Sequence, residues 1–217
     1  MRTFTPAAGR LGWVGLFAAA FAFVESSVVV YLRAIYYPGD FAFPLKPIDP
    51  GHGEIEVWRE LATIVILGAV GVLAGKKTWE RFGFFLVAFG VWDILFYAWL
   101  KVTLGWPTTL TDWDVLFLLP LPWIGPVIAP LLIATLMVVC GAIIVIRHER
   151  GIRFQPGKFS WLAGISATIL LLFSFMSDLP AALHQHPPAP YSYWLLGAGL
   201  LLYAAGFIDA CRPHEGR

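Results

Sequence analysis

Charged residues are scarce in this chain. Asp, Glu, Lys and Arg make up 13% of its 217 residues, against the roughly 25% that is usual in soluble domains. A soluble fold of this size needs more charged residues to cover its surface, so the low charge content excludes a soluble protein. Hydrophobic residues make up 59%, and the mean hydropathy is +0.74. We therefore predict an integral membrane protein, with residues 1–217 forming one membrane domain.

Other absences narrow the function further. The two cysteines, Cys140 and Cys211, are too few for a disulfide framework or a C-x-x-C motif. The net charge of +1 gives no basic footprint for nucleic acid, so no nucleic-acid partner is expected. No histidine pair and no mid-membrane lysine fall within the apolar stretches. We therefore expect neither haem b held between helices nor retinal.

Six stretches are apolar enough to form helices of about 20 residues that cross a bilayer. The predicted spans are 11–33, 57–75, 82–101, 126–146, 160–178 and 191–209. The fourth apolar stretch starts earlier, at 115, but its first half contains Pro120, Pro122, Pro126 and Pro130. Each proline removes a backbone donor and disrupts a helix. We predict an irregular or re-entrant segment over 115–125. The expected fold is an all-α, polytopic bundle of six spans with a proline-broken start to the fourth.

The basic residues predict the orientation of the bundle, because cytoplasmic segments of membrane proteins carry an excess of Lys and Arg. With the N-terminus inside, eleven basic residues fall on the inner side and four, Arg33, Lys46, Arg59 and Lys101, on the outer side. Both termini are then cytoplasmic, and a bacterial inner membrane is the expected location. Membrane lipid is the expected surrounding. The 34 aromatic residues also suit contacts with other membrane subunits or with a second copy.

A weak internal repeat relates the first and third spans. Glu25 is followed eight residues later by Arg33, and Asp93 is followed eight residues later by Lys101. This spacing favours tandem helical hairpins, an arrangement that transporter folds also use. The alternative is that helices with the same orientation share apolar composition and terminal bases without any duplication.

The acids lie mostly on the predicted outer side, and two of them lie at membrane depth. Eight residues of helix place Glu25 roughly 12 Å deeper than Arg33, and Asp93 lies at a similar depth. An acid at the centre of a spanning helix costs about 2.5–3.5 kcal/mol and faces the bundle interior or a wet cavity. Glu25 and Asp93 are therefore candidates for an ion site or a proton relay. The alternative is a structural role, with the acid paired to an arginine of another helix.

Two further charged groups complete the predicted pocket. Glu56, Arg59 and Glu60 open the second span, with spacings that place them on one helical face. Their alternative role is helix capping with a local ion pair. Asp114 precedes the proline-rich segment and also suits a helix cap. The predicted ion or proton pocket comprises Glu25, Arg33, Glu56, Arg59, Glu60, Asp93 and Asp114. We expect the loop over 34–56 to cover it as an extracytoplasmic lid.

A divalent metal ion is a second candidate occupant. Two histidines and an acid suit zinc or copper, and the loop after the fifth span offers Asp178, His184 and His186. The candidate metal ligands are Glu25, Glu60, Asp93, Asp178, His184 and His186. The alternative is that this His-x-His sequence binds no metal, because the pattern is common by chance in short loops.

Three functions fit these observations. The first is an outward-facing, carboxylate-lined pocket that binds or transports a cation, a metal ion or a proton-coupled solute. The second is a membrane-embedded, metal-dependent enzyme that acts on a lipid-like or quinone-like substrate. The third is a non-catalytic subunit of a larger membrane complex.

Overall fold

The computed structural model is mostly helical and describes residues 6–39, 41, 43–183 and 186–212. The elements in chain order are α1 (Ala7–Tyr36), α2 (Pro50–Ala74), α3 (Thr78–Leu104), β1 (Trp113–Phe117), β2 (Trp123–Pro126), α4 (Ile128–Glu149), α5 (Lys158–Met176), α6 (Leu179–Leu183) and α7 (Tyr193–Cys211).

Six helices of the described chain, all except the short α6, are long and apolar enough to cross a membrane. Each predicted span corresponds to one of them. The bundle is that of an integral membrane protein. Most of the helices run beyond the predicted spans at one or both ends, because polar residues continue the helix after the apolar run stops.

Both ends of the described chain lie at the same end of the bundle, which we call the termini end. The backbone N–H of Ala7 donates to the Glu149 carboxylate, and Arg147 donates to the carbonyl of Cys211 at 2.7 Å. Arg10 donates to Glu80 at 2.7 Å, and Glu80 is almost completely buried there. We call the opposite end the hairpin end, because β1 and β2 lie there.

The central helix is α3, which packs against α1, α2 and α4. Small residues let α3 and α4 approach closely, as is common in membrane bundles. A Cβ on Gly90 would lie 2.5 Å from the carbonyl oxygen of Ala134, and one on Gly141 would lie 2.5 Å from that of Gly83. These contacts leave no room for larger side chains at the crossing.

The loop before α2 is shorter than the predicted 34–56. Helix α1 continues to Tyr36, and α2 already begins at Pro50. The reason is local capping, because the Asp49 side chain accepts from the backbone N–H of Gly51 at 2.9 Å and Pro50 occupies the first helical turn. Glu56, Arg59 and Glu60 therefore lie inside α2 rather than at its start.

The segment predicted as irregular over 115–125 contains two antiparallel strands. Asp114 pairs with Gly125 and Val115 with Ile124, and a register shift follows between Val115 and Phe117. Pro120 and Pro122 prevent helix in the connection, and strand pairing satisfies the backbone groups that a helix would have satisfied. Helix α4 begins at Ile128, two residues later than predicted. Pro130 lies in its first turn, where proline is tolerated.

Candidate functional site: a charged cavity at the hairpin end

A cavity of about 490 Å³ lies at the hairpin end. Helices α1, α2, α3 and α4, the β-hairpin and the loop before α2 all contribute to its lining. The charged residues of the lining are Glu25, Arg33, Lys46, Glu56, Arg59, Glu60, Asp93 and Asp114. With five carboxylates and three bases, the lining has a formal charge of −2 when all groups are ionised.

Arg59 is paired with two of the acids. Its guanidinium forms an ion pair with Glu25 of α1 and another with Glu56, three residues earlier on α2. Thr63 donates a further hydrogen bond to Glu25 at 2.7 Å. Glu25 is buried and paired with a base, which is the arrangement of the structural alternative for this residue. Its burial is tolerable because the base and the hydroxyl replace its water.

Glu60 joins α2 to the β-hairpin. Its carboxylate accepts from the backbone N–H of Leu118 at 2.8 Å. Leu118 directly follows β1, so the hydrogen bond holds the hairpin against α2. Glu60 lies one helical turn from Glu56 and is itself buried.

Arg33 and Asp114 form a buried ion pair across the cavity wall. Nη2 of Arg33 donates to Oδ1 of Asp114 at 3.1 Å, and both side chains are less than 10% exposed. The guanidinium carbon lies 4.1 Å from the ring centre of Phe41 and 3.8 Å from that of Trp106. These distances are those of cation–π contacts, which gain strength where water is excluded. The charge of Arg33 is therefore balanced within the protein by Asp114 and by the two aromatic rings.

Asp93 differs from the other acids of the cavity. It is half-buried on α3 and lines the cavity, yet it makes no hydrogen bond or ion pair with any residue in the described ranges. Asp114, which lines the same cavity, carries a charge of the same sign. A carboxylate in this position must be satisfied by water, by a bound cation or by a proton.

Aromatic side chains surround this acid. Phe89, Trp92 and Phe96 follow one another at spacings of three and four residues on α3, so they lie on one helical face with Asp93. Phe117 contacts Trp92 and Trp123, with ring centres 6.3 and 5.6 Å away. The wall therefore combines one unpaired carboxyl group with several aromatic rings.

The structure brings all seven residues of the predicted ion or proton pocket to this one cavity. Of the candidate metal ligands, Glu25, Glu60 and Asp93 line this same cavity, whereas Asp178 and His186 are not among its lining residues. Asp178 accepts from the backbone N–H of Ala189 at 2.6 Å, and His186 lies 3.0 Å from the carbonyl of Pro187. His184 lies outside the described residues. In the part of the chain that the structure describes, no group of three or more His, Cys, Asp and Glu residues is placed to hold a metal ion.

The loop before α2 also contributes to the cavity. Tyr37, Phe41 and Lys46 line it. The hydroxyl of Tyr37 accepts from the backbone N–H of Lys46 at 2.8 Å, and Lys46 Nζ lies 5.2 Å from the ring centre of Tyr37. The loop is thus tied to the end of α1.

Sequence reasoning missed the groups that partner the acids and the aromatic wall. Thr63 and the Leu118 backbone carry no signal that singles them out, because hydroxyls and N–H groups occur throughout the chain. The aromatic wall did have a signal: the run Phe85, Phe89, Trp92, Phe96 has the spacing of one helical face.

The fold and the cavity together define a polytopic membrane protein with a charged, aromatic-lined chamber near one end of its bundle. No family model matches the chain, and no curated protein or solved structure matches it.

Proposed function

We propose that this protein binds a cation in the cavity at the hairpin end and carries it across the membrane. The observation that carries the proposal is Asp93. It is the one acid of the described cavity lining that has neither a base nor a hydrogen-bond donor from the described chain, while Glu25, Glu56, Glu60 and Asp114 each have one.

Coupling to protons follows from the same feature. When no cation is bound, Asp93 lines the cavity without a partner among the described residues, so uptake of a proton removes the cost of an unpaired charge at membrane depth. Arrival of a cation releases that proton, and return of the proton displaces the cation. The other acids do not take part, because each already has a base or a backbone N–H as its partner. They hold the helices and the hairpin around the exchanging carboxyl group.

We further propose that the protein lies in a bacterial inner membrane with the termini end in the cytoplasm. The excess of Lys and Arg in the segments of that end supports this orientation. The cavity would then open towards the extracytoplasmic side, beneath the loop before α2.

Binding of radiolabelled tetramethylammonium, rubidium and manganese ions to the purified protein in nanodiscs tests the proposal. We expect saturable binding of at least one of the three, and at least tenfold weaker binding to the Asp93→Asn variant. Asp178→Asn is the matched control, because Asp178 is an acid that does not line the cavity. Asp93→Asn should also abolish uptake into liposomes and the accompanying proton efflux. Unchanged binding and flux in Asp93→Asn would overturn the proposal.

A further inference from the structure

We infer that the cation is amphiphilic, an organic ammonium ion with a long apolar chain, and that its chain lies in a second cavity of the bundle. This inference deepens the proposed function and rests on it. The second cavity, which we call the apolar cleft, has a volume of about 410 Å³ and lies between the α3–α4 pair and the α5–α7 pair.

The apolar cleft contains no charged residue among those described. Its walls are formed by aromatic and aliphatic side chains such as Phe82, Leu136, Trp161 and Phe207. It exists because α5 and α7 pack mainly on each other and meet the rest of the bundle at its two ends. At the hairpin end, Phe175 stacks on Trp123, with ring centres 6.0 Å apart. At the termini end, the Gln155 backbone N–H donates to the carbonyl of Ala210.

The two cavities meet at a pair of side chains. Ile133 and Met137 line both the charged cavity and the apolar cleft. They lie one turn apart on the same face of α4. These two side chains therefore form the partition between a charged chamber and an apolar one. Methionine is unbranched and adapts its shape readily, so the partition can open without movement of the helices.

The chemistry of the charged cavity favours an organic cation over an inorganic one. Calcium takes six to eight oxygen ligands, most of them from protein groups, whereas Asp93 offers a single unpaired carboxyl group. The rings of Trp92, Phe96 and Phe117 near it suit an ammonium group that carries alkyl substituents, because such cations bind to aromatic faces. The formal charge of −2 on the cavity lining complements a positive headgroup.

The dimensions of the cleft suit a single chain. Between Ile133 and Ile144 the cleft follows eleven residues of α4, a rise of roughly 17 Å. An extended chain advances about 1.2 Å per bond, so a chain of up to about fourteen carbons can lie along it, and a twelve-carbon chain fits within it. Phe82, Trp161 and Ile165 line the cleft and are 41%, 56% and 56% exposed on the outer surface of the bundle. A chain can therefore reach the cleft sideways from the bilayer.

Photo-crosslinking with a dodecyltrimethylammonium analogue that has a diazirine at the end of its chain tests this assignment. The protein is reconstituted in nanodiscs, and the labelled residues are mapped by mass spectrometry. We expect labels on residues of the cleft, such as Met137 and Phe207. Excess tetramethylammonium and the Asp93→Asn substitution should each reduce this labelling by at least fivefold.

Variants of Leu136 separate this inference from the proposed function, because Leu136 lines the apolar cleft and not the charged cavity. Leu136→Trp should fill the cleft and reduce its labelling at least fivefold while tetramethylammonium still binds, and Leu136→Ala should preserve the labelling. Leu132→Trp is the matched control, because Leu132 is an exposed residue of α4 that lines neither cavity. Cleft labelling that persists in both Asp93→Asn and Leu136→Trp, or labels confined to the lipid-facing surface, would overturn the inference. If the wild-type protein binds none of the tested cations, the proposed function itself is overturned.

Discussion

Glu25 and Asp93 have similar surroundings in the sequence and different ones in the structure. Each lies at mid-helix and is followed eight residues later by a base. In three dimensions Arg59 of α2 reaches Glu25, and no described base reaches Asp93. The two bases also differ: Arg33 pairs with Asp114, whereas Lys101 donates to the carbonyls of Gly105 and Pro107 at the end of its own helix. Glu25 is therefore structural in its contacts, whereas Asp93, its counterpart in the repeat, has no partner among the described residues.

Removal of Arg59 should destabilise the bundle, because the buried carboxylate of Glu25 and the half-buried carboxylate of Glu56 would lose their base. Breaking a buried ion pair from one side costs about 3 kcal/mol, so Arg59→Gln should unfold at a clearly lower temperature in detergent. The double variant Arg59→Gln with Glu25→Gln should recover part of the loss. Equal melting temperatures for Arg59→Gln and wild-type protein would contradict this reading of the ion pairs.

Among the secondary-structure elements, the close crossing of α3 and α4 depends on glycines, which have no side chain. Gly90→Ala places a Cβ 2.5 Å from the Ala134 carbonyl oxygen, and overpacking of this kind costs about 1–3 kcal/mol. Thermal unfolding in detergent should show the loss. Gly68→Ala on α2 is the control, because a Cβ there meets no atom within 4 Å. A larger loss for Gly68→Ala than for Gly90→Ala would mean that the crossing does not limit stability.

The turn that leads into β1 should respond to pH. Although partial burial acts to raise it, hydrogen bonds from Thr108 and Thr109 lower the pKa of Asp112 below its ordinary value. A lowered pKa in the folded state means that the ionised group stabilises the fold above its ordinary pKa and loses this effect as the pH falls through the folded value. Wild-type protein should melt at a higher temperature than Asp112→Asn at pH 7, and the difference should shrink towards pH 3. A constant difference would show that ionisation of Asp112 is not its cause.

The helices were predictable from the sequence, and the β-hairpin was not. An apolar run of about 20 residues has few alternatives to a spanning helix, because its backbone groups need partners within lipid. The prolines at 120 and 122 showed where helix cannot form. They did not show which strands would pair, because the pairing of Asp114 with Gly125 depends on how the chain turns between them.

For the whole molecule, the sequence indicated which charged residues would gather but not how they would pair. The sequence places most acids on the predicted outer side, and their positions on helical faces narrow which of them can share a cavity. Whether an acid receives a base depends on distances between helices, which periodicity along one helix does not contain. The apolar cleft was also not predictable from the sequence, since it arises from the distance between the α5–α7 pair and α4.

The orientation of the whole bundle is testable by labelling of single cysteines. With Cys140 and Cys211 replaced by serine, Thr109→Cys reports the hairpin end and Lys77→Cys the termini end, since both positions are exposed. A membrane-impermeant maleimide added to intact cells should label Thr109→Cys and leave Lys77→Cys unlabelled until the cells are opened. The reverse pattern would place the charged cavity on the cytoplasmic side.

The hydrogen bond between Glu60 and Leu118 has a consequence for how the sequence can drift. Its donor is a backbone group, which nineteen of the twenty amino acids supply equally well and only proline lacks. Selection on this contact is therefore one-sided. It requires the carboxylate at position 60 on α2 but places no requirement on the side chain at position 118. The hydrogen bond between these two distant parts of the chain can therefore persist while residue 118 is substituted.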